Sequence, residues 1–370
     1  MEALFSMALV DDLAISGHAY YAGEHAAGLR ACERILASDA APEIEARARR
    51  NRTWYTTTLQ GLLGQATIVR LHVPPARPGW SVFNPSVCTA SDGGLLCVVR
   101  SSNYWIDHRG HYLSPPEDVG KIRTRNIVVR LALDPWSVSP AQELIGPGYD
   151  QAEGAAIEGM EDLRLYCRGD EWRVSGTVLD AAGFDSACMI ATARLLPDCG
   201  ILCDFRLLPS PISGRHEKNW MPVVGHGREE WVYACWEDGA VATVRESCGA
   251  WKIGRCGQAP TVAKGFRGGS QLIPWLSGQM LCVVHEVAVD RGRRIYEHRF
   301  VRMDPTLTIT GISDPFVFES TRSIEFCAGA AITKMADGRN VLALSYGAND
   351  QTAHVAICDP LLVDRAIREV

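Results

Sequence analysis

The sequence predicts an all-β chain, a five-bladed β-propeller with a small N-terminal α-helical hairpin. Three observations predict it: composition shifts near residue 65, a hairpin pattern recurs five times beyond that point, and polar residues gather at one end of each copy. The 370 residues are 47% hydrophobic and 22% charged, which supplies a large core.

Residues 1–64 form the helical region. Ala26, Leu29, Cys32 and Leu36 share one helical face, and a second helix continues through residues 45–50 after Pro42. With Tyr20, Tyr21 and a Gly turn, the stretch is similar to one tetratricopeptide-type helical hairpin. A single such unit cannot bury its own apolar face, so it must pack on the rest of the chain, on a protein partner or on a second copy.

From 65 to 370 the chain reads as strands. Five segments align: NPSVCTASDGGLLCVVRSSN from Asn84, MEDLRLYCRGDEWRVSGTVL from Met160, NWMPVVGHGREEWVYACWED from Asn219, GSQLIPWLSGQMLCVVHEVA from Gly269, and CAGAAITKMADGRNVLALSYGAND from Cys327. Each is a short motif, an apolar run, a Gly-containing turn and a second apolar strand, which is a β-hairpin. The runs NIVVRLAL, ACMIATARL and RIYEHRFV add strands between copies, and about four strands per unit describe propeller blades. QTAHVAI, after the fifth hairpin, is placed to close the ring by completing a blade. A β-sandwich or β-helix does not account for a recurrent hairpin of constant design.

Charge and composition exclude several functions. A net charge of -6 argues against nucleic-acid binding, which needs a basic surface. No apolar run approaches the roughly 20 residues of a membrane span. The N-terminus carries Glu2, Asp11 and Asp12 and lacks the basic region of a signal peptide. Thirteen scattered cysteines, without zinc-ligand spacing, read as reduced thiols of a cytoplasmic protein with no metal site. GFRGGS (265–270) precedes a strand rather than a helix, so it is not a nucleotide-phosphate loop.

In an antiparallel hairpin, the start of the first strand and the end of the second share one edge. The five starts carry Asn84, Glu161, Asp162, Lys218, Asn219, Ser270 and Glu325. The ends carry Arg100, Asn103, Trp236, His285, Glu286, Tyr346 and Asp350. The opposite turns hold only residues such as Asp92-Gly93-Gly94, Ser277-Gly278 and Asp337-Gly338. A rim of carboxylates, amides and guanidinium groups suits a polyhydroxylated ligand, with Trp220, Trp236 or Tyr346 available to stack on a pyranose ring.

GMEDLRLY (159–166) resembles the Glu-Asp-Pro-Arg motif of glycoside hydrolase family 130, the β-mannoside phosphorylases and hydrolases, and of a related mannosyltransferase family. EKNWMP (217–222), VVHEV (283–287), FCAGAA (326–331) and LSYGAND (344–350) resemble later motifs of that family in the same order. The resemblance implies a five-bladed propeller that makes or breaks β-mannosidic bonds with inversion. It implies Asp162 as general acid, with Glu161 beside it, and phosphate ligands at Arg164, Lys218 and His285. Arg125 and Arg267 are nearby candidates from this chain's own rim loops. Leu163 in place of Pro, Glu286 in place of Gly and Asn349 in place of Ala mark a divergent branch.

The leaving oxygen of a glycosidic bond needs a proton from a donor still protonated near neutral pH. Burial, or the like charge of Glu161, would raise the pKa of Asp162 in that direction. Phosphorolysis or sugar-phosphate-dependent transfer needs a cationic cradle, with inorganic phosphate or a sugar 1-phosphate as co-substrate and no other cofactor. An inverting hydrolase needs a second carboxylate about 6.5–9.5 Å away, for which Glu286, Glu325 and Asp350 are available. A third reading is a noncatalytic glycan-binding propeller whose helices dock a glycosyltransferase. The arginines, lysine and histidine favour phosphate, and an oligosaccharide or sugar phosphate is the expected ligand.

Overall fold

The computed structural model describes every residue except 1, 91–92, 108–109, 148–155, 180–186, 213, 248–249 and 320–321, and leaves aside the side chains of 2–6, 247 and 250. Asp92 of the first predicted turn therefore lies outside the described residues. Three helices open the chain where a two-helix hairpin was expected: α1 (Glu2–His18), α2 (His25–Leu36) and α3 (Pro42–Arg52). The additional α1 is rich in Ala, Leu and Met and meets no Gly or Pro before Gly17. The buried face of α2 is Gly28, Ala31, Cys32, Ile35 and Leu36, and Ala26 is exposed. Ile35, Leu36 and Ala48 join Leu9 and Leu13 in a small core among the three helices.

The rest of the chain is mostly β and arranged as the blades of a propeller. The described strands form five sheets of at least four strands, plus one two-stranded hairpin. Sheet 1 begins with Ser81–Thr89, Leu95–Ser102 and Ile122–Leu133. Sheet 2 is Glu161–Arg168, Glu171–Leu179, Cys188–Leu196 and Ile201–Leu208, an antiparallel meander. Sheet 3 runs from Met221–Pro222 through Glu230–Glu237 and Ala240–Ser247 to Ala250–Gln258. In sheet 4, Arg267–Gly268 and Ile273–Pro274 both pair with Met280–Asp290, which pairs in turn with Arg293–Met303. Sheet 5 is Glu325–Lys334, Asn340–Ala348, Thr352–Cys358 and Thr67–Leu71. The closing run QTAHVAI thus takes the third place of the last sheet, and the outermost strand comes from the N-terminal side, at Thr67–Leu71.

The first strands of the sheets pack around a closed axis. Gln271 of sheet 4 donates through Nε2 to the carbonyls of Val87 (2.8 Å), Leu165 (3.1 Å) and Ala330 (2.9 Å), and its Oε1 accepts from Ala330 N (3.1 Å). One amide therefore ties sheets 1, 2 and 5 to sheet 4. Ser86 adds a second tie, accepting from Leu165 N and donating to Ala328 O, both at 2.9 Å. Packing is close enough to dictate glycine: a Cβ on Gly347 would lie 2.0 Å from Asn84 Oδ1.

The helices are stitched to sheet 4 through buried charge. Fully buried Arg52 reaches Glu286 (3.0 Å), Glu297 (2.9 Å) and Glu33 (3.1 Å). Arg49 and Arg299 each meet Glu286 at 2.7 Å. Paired and hydrogen-bonded charges are the form in which burial of ions is tolerated. Glu286, expected at the rim, is instead the centre of this network. Adjacent residues on a strand face opposite sides, so with His285 turned inward Glu286 points at the helices.

Candidate active site

Three of the five hairpin starts bend in the same way. Asn84, Asp162 and Asn219 all have positive φ, at 47°, 49° and 63°. Asn and Asp accept that left-handed conformation more readily than other side-chain-bearing residues. In the first two, the pairing register shifts at the same place, between Phe83 and Ser86 and between Glu161 and Arg164. Such a bulge interrupts strand alternation. It lets Glu161 and Asp162, neighbours in sequence, both meet one guanidinium.

That guanidinium is Arg100, at the end of the second strand of sheet 1. Its NH2 donates to Glu161 Oε1 at 2.8 Å and its NH1 to Asp162 Oδ1 at 2.9 Å. Asn84 Nδ2 donates to the same Asp162 oxygen at 2.8 Å. Lys218 Nζ lies 3.4 Å from Glu161 Oε2, with half of its side chain exposed. Arg164 lies beneath, donating to Asp162 O (2.8 Å), Asn219 Oδ1 (3.1 Å) and Gly269 O (3.1 Å), with its guanidinium 5.0 Å from the Phe326 ring. Residues from all five sheets therefore meet around the acid pair.

Electrostatics here depart from the sequence expectation. Burial works against the charge of Asp162, but Arg100, Arg164 and the bonds from Asn84 and Arg100 outweigh it and hold this carboxyl below its usual value. The expected upward shift is corrected: the bulge delivers Asp162 to two guanidinium groups, and their attraction exceeds desolvation. The raised carboxyl is Asp350. Burial, added to by the charges of Asp162 and Glu161, pushes it to about 6, while Arg100 and a 3.0 Å bond from Tyr104 Oη oppose. Burial pulls Arg164 down to about 10. Burial also opposes the charge of Lys218, yet Glu161 draws its pKa upward.

On the sheet 4 side, Arg267 is exposed and pairs in register with His285. His285 is buried and stacked on Tyr296, with ring centroids 4.9 Å apart, and its Nδ1 has no hydrogen-bond partner among the described residues. Burial, with the charges of His298, Arg267 and Arg164, holds this imidazole neutral.

Other predicted site residues lie elsewhere. Asn103 spends its amide on the Lys121 carbonyl (3.0 Å) and the Arg123 N–H (2.8 Å). Arg125 reaches Glu143 at 3.6 Å. Ser270 accepts from Val283 N and donates to Gln271 O, both at 2.9 Å. Trp220 is buried, its indole donating to Glu217 at 3.1 Å, and half-buried Trp236 packs on the apolar core between sheets 3 and 4. Tyr346 is sealed between Phe318 (3.9 Å) and His354 (5.0 Å). Buried Glu325 accepts from Phe318 N (2.6 Å) and Glu319 N (2.8 Å). Packing claimed these aromatic rings, and backbone groups or other side chains claimed the polar tips.

The aromatic groups beside the acids are ones the motif comparison missed. Tyr104 holds Asp350 and lies 5.2 Å from Tyr112, which is 52% exposed. Burial, with the charge of Asp350 added, raises the pKa of the Tyr112 hydroxyl. The aromatic-rich NYW directly after the Arg100 strand was the available signal.

No protein-family model and no curated protein sequence matches the chain. Among solved structures it is similar to the β-1,2-mannobiose phosphorylase from Listeria innocua, with a TM-score of 0.52 and 14% identity over 84% of this chain and 98% of that one. Two structures from Leishmania mexicana are also similar. A mannose phosphorylase has a TM-score of 0.47, with 16% identity over 79% of this chain and 88% of that one. A GDP-Man-dependent mannosyltransferase has a TM-score of 0.46, with 14% identity over 80% and 91%. The chain has the propeller fold of the Listeria innocua enzyme, in keeping with the family resemblance carried by its motif order.

Proposed function

We propose that this chain is a carbohydrate-active enzyme that makes or breaks β-mannosidic or related bonds with inversion, by phosphorolysis or sugar-phosphate-dependent transfer. In this reading each of the five sheets is one blade, residues 65–370 form the catalytic propeller, and residues 1–64 buttress sheet 4. One observation carries it: carboxylates Glu161, Asp162 and Asp350 share a mouth with Arg100, Arg164 and Lys218. A glycosyl phosphate needs both signs, carboxyl groups for the proton and the hydroxyls and cations for the phosphate. The likeness to a mannobiose phosphorylase supports the sugar class.

Asp162 is the proton donor to the leaving oxygen, reached directly or through a sugar hydroxyl. Its charge is stabilised in the free site, so Asp162 takes up its proton with substrate binding. Asp350, raised by burial to about 6, is the carboxyl of this mouth that holds a proton closest to neutral pH. Arg267 and Lys218 offer exposed charge to phosphate, and His285 offers a neutral ring nitrogen. Tyr112, rather than the buried tryptophans, stacks on the sugar. Of the three carboxylates offered as base to the inverting-hydrolase alternative, Glu286 and Glu325 are tied up elsewhere and Asp350 is left.

The test is turnover of mannose 1-phosphate with a panel of acceptor sugars, read as phosphate release, and the reverse reaction with phosphate. Asp162→Asn is expected to lower kcat at least 100-fold, the scale of lost general acid catalysis. Glycan binding with no turnover, unchanged by that substitution, would overturn the enzymatic reading in favour of a noncatalytic glycan-binding propeller.

A further inference from the structure

Sheets 1 and 2 meet through their first strands, and at the far end of that contact two thiols face each other. Cys88 Sγ donates to Cys167 Sγ across 3.6 Å. Cys88 is buried and Cys167 half-buried, which makes Cys167 the more accessible residue of the pair. Their strands also carry Asn84 and Asp162, bonded at 2.8 Å. Between these two contacts, Ser86 accepts from Leu165 N at 2.9 Å.

We propose that Cys88 and Cys167 form a reversible oxidation site for hydroperoxides that closes to a disulfide between sheets 1 and 2. The hydrogen bond from Cys88 favours the Cys167 thiolate, drawing that thiol down against a smaller opposing effect of burial. The same contact and burial together push Cys88 up. Cys167 is therefore the attacking sulfur and Cys88 the resolving one. The Cys167 thiolate takes the terminal oxygen of the peroxide, the O–O bond breaks, and the departing oxygen leaves as water (or an alcohol) after protonation. Cys88 sulfur then attacks the Cys167 sulfenic acid, the S–O bond breaks, and water leaves with the Cys88 proton. Two thiols lose two electrons and two protons while the peroxide is reduced. The sulfurs must close to about 2 Å, a movement of side chains at a contact the strands already hold.

The experiment treats folded protein with hydrogen peroxide in small excess, alkylates the remaining thiols and maps peptides without reduction. The expected first product is one cross-linked peptide pair, 88 with 167, lighter by two hydrogens and restored by a dithiol reductant. Cys88→Ser is expected to leave a sulfenic acid at Cys167 that a dimedone probe captures. Cys167→Ser is expected to leave Cys88 alkylatable after the same treatment. First oxidation at exposed Cys199, with residues 88 and 167 still alkylated separately, would overturn the proposal.

Discussion

Arg100→Met tests the electrostatic centre of the candidate site. Arg100 is 3% exposed and neutralises Glu161 at 2.8 Å and Asp162 at 2.9 Å while packing 5.1 Å from the Phe83 ring. Methionine keeps most of the apolar stem and removes the charge. Breaking a buried pair on one side costs about 3–5 kcal/mol, because an uncompensated charge is left behind. Lys218 remains beside Glu161, so the larger share falls on Asp162 and, through the lost field, on Asp350. The pH dependence follows from the signs. In the parent, the depressed Asp162 adds stability above its unfolded pKa and loses it as pH falls through the lower folded value. In the variant Asp350, already raised, goes higher and costs stability as pH rises above its unfolded pKa until it reaches the new folded one. Asp162, still beside Arg164 and Asn84, loses part of the stability it gave. The penalty is therefore full near pH 8 and shrinks toward pH 5, by up to about 1.4 kcal/mol per pH unit for each carboxyl that takes up a proton. Equilibrium urea unfolding at pH 5, 6, 7 and 8, followed by tryptophan fluorescence, measures it. Adding Asp162→Asn to the variant is expected to recover more than about 1 kcal/mol at pH 8, as residues in contact are not additive. A penalty below about 1 kcal/mol, or one equal at pH 5 and 8, would refute the reasoning.

Two further outcomes are expected. Burial pushes Glu325 up to about 8 although two backbone N–H groups oppose it, so the parent loses stability as pH rises from the unfolded value near 4.5 toward 8. Glu325→Gln is expected to flatten the Tm profile over that window, and a slope identical to the parent's would show that Glu325 does not titrate there. Gln271→Leu leaves three axial carbonyls and one N–H without their side-chain partner, at a cost of roughly 2–4 kcal/mol in urea unfolding. A loss under about 1 kcal/mol would mean those groups are satisfied in other ways.

How much of this the sequence disclosed depends on the kind of signal. Hairpins could be read because strand alternation and Gly turns are local, and all five repeated segments are hairpins in the structure. The place of the outer strand Thr67–Leu71 could not, since TIVRL reads as a strand but its partner, Thr352–Cys358, lies at the other end of the chain. Gln271 escaped for a different reason: its partners belong to three other sheets and lie 59 to 184 residues away in sequence.

Side-chain direction was the harder quantity, and alternation decides most of it. His285 and Glu286 are adjacent on a regular strand, in register with His298 and Glu297, so one facing the axis commits the other to the helices. Placing both at the rim conflicted with the period of the strand. Glu161 and Asp162 are also adjacent, yet both reach Arg100. The difference is the bulge, and its mark was in the sequence: Asn84, Asp162 and Asn219 recur at one position of three hairpins, each a residue that tolerates positive φ. A β-branched residue at position 162 would strain that turn, and Asp162→Val would both remove the carboxylate and oppose the bulge. Asp162→Asn removes the charge and keeps the conformation. Comparing the two separates chemistry from presentation. Equal loss of turnover with stability preserved in both would show that the bulge is dispensable, whereas an additional loss of stability in the valine variant alone is what the geometry predicts.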